Sequence, residues 1–226
     1  PPRRIVLGTD SPFSSLSTGH LRHLLDVRTG IPHHVVRADD LRRLPWHDVD
    51  VLVLPETGSQ GSALGESGVA ELRDWMRGGG TVVAVGRAAR WAGRELAGIT
   101  GEGVAESDPP TSDEEASDES LAEIPSDRLH ELTHAERRQR SVERRVPGAI
   151  LSASLDVTHP LVQGAATRTA WHVFGDDPLP VAGSTQVLAR FAAGDADGGP
   201  RIGGVCGPSA EARLAGTPAV TYDAVG

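Results

Sequence analysis

The sequence predicts a doubly wound α/β domain built on a mainly parallel sheet and interrupted by a disordered acidic insertion. Three observations predict it. Through the first hundred residues, short apolar runs rich in Val, Ile and Leu alternate with apolar residues at helical spacing. Hydrophobic residues make up 38% of the 226, yet aromatics only 4%, so the core is Val, Leu, Ile and Ala. Strands buried on both faces by helices have that composition. Ten of the 31 acidic residues fall between Gly101 and Asp127 with no basic residue among them. Such a segment, rich in Ser, Pro, Asp and Glu, has nothing to fill a core.

Taken in order, Arg4-Ile5-Val6-Leu7-Gly8 reads as a buried first strand ending at Thr9-Asp10. Ser17 to Thr29 carries Leu21, Leu24 and Leu25 on one helical face and is closed by Gly30. His34-Val35-Val36 reads as a second strand, and Asp39-Asp40-Leu41 as a short helical turn. Val49 to Leu54 is the clearest strand and stops at Pro55. Ser67 caps a helix through Val69, Leu72, Trp75 and Met76, which ends at Gly78-Gly79-Gly80. Thr81 to Val85 is a further strand, and Ala88 to Leu96 a further helix. The low-complexity insertion spans 101–145, acidic to Asp127 and then an Arg-rich helix from Arg128 to Arg145. Order returns with strands at Pro147 to Leu151, Gln186 to Phe191 and Pro218 to Tyr222. Asp156 to Leu161 forms a turn leading to Gly164. The whole of 1–226 reads as a single domain.

Charge and cysteine usage exclude several classes. Outside the acidic stretch, 21 acidic residues stand against 22 basic ones, all of them Arg, so no basic stripe marks a nucleic-acid surface. One cysteine, Cys206, allows neither an internal disulfide nor a multi-cysteine metal site. No run reaches the apolar length of a membrane span.

Four segments in order carry a resemblance. They are Asp50 to Pro55, Leu72 to Trp91 with its Gly-Gly-Gly-Thr-Val-Val centre, Val146 to Ile150, and Leu155 to Leu161. Together with the acidic-then-basic insertion, they resemble the class I glutamine amidotransferase-like domain that follows the catalytic domain in bacterial family M14 zinc carboxypeptidases. The resemblance implies a flavodoxin-like sheet, an upstream peptidase domain in the same polypeptide that carries the zinc, and export from the cell. It also implies one more strand after a Gly-x-Gly turn. The chain ends at Gly226, where that turn would begin, so the expectation is a domain shortened at its C-terminus.

True members of the amidotransferase fold carry a Cys at a sharp strand-to-helix turn, where helix-start N–H groups face the reacting carbonyl. The corresponding turn here is Val85-Gly86-Arg87-Ala88, and Gly86 occupies the nucleophile position. A glycine cannot attack an amide, so no catalytic residue is assigned, and Cys206 is read as a small buried hydrophobe. The strand ends offer Asp10, Glu56, Thr57 and Arg87, an acid–Arg set suited to a peptide end, a sugar or another small molecule. The competing reading of the four is a set of caps and salt bridges, and it is preferred.

His130-Glu131-Leu132-Thr133-His134 matches H-E-x-x-H, in which two imidazoles four apart on a helix bind zinc and the Glu acts as general base. Asp127-Arg128 before it and Glu136-Arg137-Arg138 after it are charged, and no third ligand follows from another element. A solvated charged helix is the preferred reading. No cofactor is therefore expected in this chain. The expected function is accessory and non-catalytic, with a zinc hydrolase at His130 and His134 and a peptide- or carbohydrate-binding module as alternatives.

Overall fold

The computed structural model describes residues 3–57, 60–99, 133–143, 145–175, 178–193 and 200–225. They fall into two compact units, Pro1–Gly101 with Asp223–Gly226, and Glu102–Tyr222.

The first unit is the parallel α/β layer that the sequence predicts. Strands β1 (Ile5–Thr9), β2 (His33–Arg37), β3 (Val51–Leu54) and β4 (Thr81–Ala84) pair in parallel in the order β2-β1-β3-β4. Helix α1 (Ser15–His23) follows β1 and widens into a π-type segment over Leu24–Thr29, closed by Gly30 at φ 62° as expected. Helix α2 (Gln60–Arg77) breaks at Gly65, whose φ of 66° and ψ of 173° are not helical. Helix α3 (Arg87–Trp91) also runs into a π-type segment, Ala92–Leu96.

Burial explains these elements. Leu7, Leu52 and Leu54 are fully buried in the sheet. Val6, Leu52 and Leu54 belong to one core cluster with Leu41, Leu64, Leu72 and Trp91. Apolar burial at about 25 cal/mol per Å² makes such a cluster the main stabilising term of the unit. The third glycine of Gly78-Gly79-Gly80 has a packing reason: a Cβ at Gly80 would overlap the Trp75 indole. That indole donates from Nε1 to the Val49 carbonyl at 3.0 Å and meets Trp46 at a centroid distance of 5.2 Å.

The second unit departs from the expectation of a mainly parallel sheet. Strands β5 (Gly148–Leu155), β6 (Arg168–Val173), β7 (Gln186–Phe191), β8 (Arg201–Val205) and β9 (Pro218–Tyr222) all pair antiparallel. Their order is β6-β5-β7-β9, with β8 also on β5. The strands expected near 147–151, 186–191 and 218–222 are present; β6 and β8 are additional. The physical reason lies in β5, which buries Ala149, Leu151 and Ala153 and turns the intervening positions outward. A strand covered on one face alternates, as antiparallel sheets do, whereas a buried parallel strand does not. The covered face packs with Phe191, Cys206, Ala210 and Leu214, the last two from helix α5 (Pro208–Leu214). Helix α4 (His134–Glu143) lies within the Arg-rich helix expected over 128–145. The acidic part of the expected insertion lies outside the described residues. Among the described residues no helix is long and apolar enough to cross a membrane.

Candidate functional site

In an open parallel sheet, ligands bind beyond the carboxyl ends of the strands where the strand order reverses. Here that point lies between β1 and β3, since the chain steps from β1 out to β2 and back to β3. The loops at these two strand ends carry Asp10, Glu56 and Thr57.

The loops are sewn together. The Ser14 N–H donates to the Glu56 carbonyl at 2.8 Å, and the Glu56 N–H donates to Ser17 Oγ at 3.0 Å. Thr57 Oγ1 donates to the Pro12 carbonyl at 2.8 Å, and Phe13 and Thr57 form an antiparallel bridge. Thr57 is buried, so its hydroxyl is committed to this seam.

The acids pair separately. Asp10 Oδ2 lies 3.1 Å from Arg37 Nε, the residue that ends β2. Glu56 Oε1 lies 2.7 Å from Arg87 Nε, and its Oε2 accepts the Arg87 backbone N–H at 3.0 Å. The four residues singled out from sequence thus form two ion pairs and a loop-closing hydrogen bond. Arg37 was missed as the partner of Asp10, because only the parallel β1–β2 register, Thr9 opposite Arg37, brings it there.

The turn after β4 is the most informative feature. Gly86 caps α3 with φ 60° and ψ −126°, a conformation that disfavours any residue with a Cβ. A strand-to-helix turn of this kind lifts a nucleophile clear of its sheet. A Cβ built on Gly86 would coincide with Glu56 Oε2. The space for a reactive side chain is therefore occupied by a carboxylate, which also takes the first N–H of α3. The adjacent Arg90 guanidinium is pushed below its ordinary pKa by burial, an effect that Glu56 opposes.

The remaining candidates lie elsewhere. Cys206 is buried in the core of the second unit, and burial, with a smaller contribution from Glu211, raises its thiol pKa. A raised pKa leaves less thiolate, opposite to what a nucleophile needs. His130 and Glu131 lie outside the described residues. His134 is exposed at the start of α4. The preceding Thr133 donates to Glu136 Oε2 through its N–H at 2.7 Å and its hydroxyl at 2.8 Å, while the Glu136 N–H points back to Thr133 Oγ1 at 3.3 Å. This is a capping box. The signal Thr133-His134-Ala135-Glu136 was in the sequence, hidden by its overlap with H-E-x-x-H. Among the described residues no group of three His, Cys, Asp or Glu side chains is placed to hold a metal ion.

A cleft of about 420 Å³ lies between the β1–α1 loop and α1, lined by Asp10, Pro12, Phe13, Thr18, Gly19 and Arg22 among others. Nothing in the spacing of small polar residues announces a cavity. Comparison of the sequence with protein-family models and with curated proteins finds no match.

Proposed function

We propose that this chain is a non-catalytic accessory domain with an amidotransferase-like first unit, working beside a zinc-carboxypeptidase-like peptidase domain in the same polypeptide. The observation that carries the reading is the turn at Gly86. It has the backbone of a nucleophile-bearing turn, but Glu56 fills the space in front of it and neutralises Arg87. Attack on an amide needs a nucleophile at that point and free donors around it. Here the donor N–H of Arg87 is spent on Glu56. The link to the M14 peptidases rests on the sequence resemblance of the four segments named above.

Two measurements test the reading. The purified chain is incubated with L-glutamine, and separately with an electrophilic glutamine analogue, then assayed for ammonia and for a covalent adduct by mass spectrometry. Neither product is expected; turnover with stoichiometric labelling overturns the non-catalytic assignment. The coding sequence in frame ahead of Pro1 is then read. A peptidase zinc set of the H-x-x-E type with a distant His supports the accessory role, and an unrelated domain there removes it.

A further inference from the structure

We draw no further inference here: the strongest candidate, the surface patch on which α1 and its π-type continuation expose the apolar side chains of Leu16, Leu24 and Val27, is an unpartnered face, and nothing in the structure shows what covers it.

Discussion

Gly86→Ala places a methyl group where the Glu56 carboxylate already lies, and its cost can be worked out from two separable parts. The first is backbone strain. A non-glycine residue at φ 60° and ψ −126° costs about 1–3 kcal/mol. The second is displacement of Glu56, which loses its bond from the Arg87 N–H and its ion pair with the Arg87 guanidinium. The side chains of Arg87 and Glu56 are 42% and 29% exposed, so screening holds the ion pair to about 0–1 kcal/mol. The backbone hydrogen bond adds about 1 kcal/mol. The total is about 2–5 kcal/mol in the wild-type background. When Glu56 is first replaced by Ala, the second part is already gone, and Gly86→Ala then costs only about 1–3 kcal/mol. The assay is urea denaturation of wild type, both single variants and the double variant, read as a double-mutant cycle. A coupling of about 1–2 kcal/mol is expected, the double variant being less unstable than the two singles add up to. Equal costs of Gly86→Ala in the two backgrounds would refute the placement of Glu56 against the turn, and with it the physical basis of the proposed non-catalytic role.

Other expectations follow from the core, the acid pairs and the histidines. Leu72→Ala, at a fully buried position of α2, is expected to cost about 2–5 kcal/mol in the same urea experiment, and a loss below 1 kcal/mol would place Leu72 outside the core. Asp50 accepts the Arg4 N–H at 2.7 Å and the Arg4 guanidinium at 3.4 Å, which hold its carboxyl below the ordinary carboxylate range. Because its folded pKa is depressed, its contribution is complete above about pH 4, the ordinary Asp value, and is lost as pH falls through the folded value. Melting temperatures measured from neutral pH down to pH 3 are therefore expected to fall less steeply for Asp50→Asn than for wild type; parallel curves would contradict the assignment. The dialysed chain is expected to carry no stoichiometric zinc by elemental mass spectrometry. One zinc per chain, lost on His130→Ala, would make the H-E-x-x-H segment a metal site.

Much of the first unit could be read directly from the residues. β3 is legible because Val51 to Leu54 is a continuous apolar run cut by Pro55, and that run is what burial on both faces requires. The αL cap at Gly30 was likewise signalled by a glycine after a helical apolar pattern. The antiparallel second unit was only half legible. The alternation of β6, Arg168 to Val173, was in the sequence, while β8 is weakened by two glycines and shows little pattern. Pro208 at the first turn of α5 was a helix-start signal that went unread.

The candidate site shows where reading residues in order ends. Sequence alone determined that Gly86 offers no side chain for attack, that Cys206 is the only thiol, and that Asp10, Glu56, Thr57 and Arg87 follow strand ends. Only the tertiary structure decided what these residues face. The β3–β4 register sets Leu54 opposite Ala84, so the residue two beyond each strand, Glu56 and Gly86, meet. The β1–β2 register sets Thr9 opposite Arg37 and hands that arginine to Asp10. Parallel strands are joined by long crossovers, so their register is fixed by packing of the sheet and its covering helices, not by any local turn. A chain written in one dimension lists the groups, and the register of strands far apart in sequence selects which carboxylate sits against Gly86.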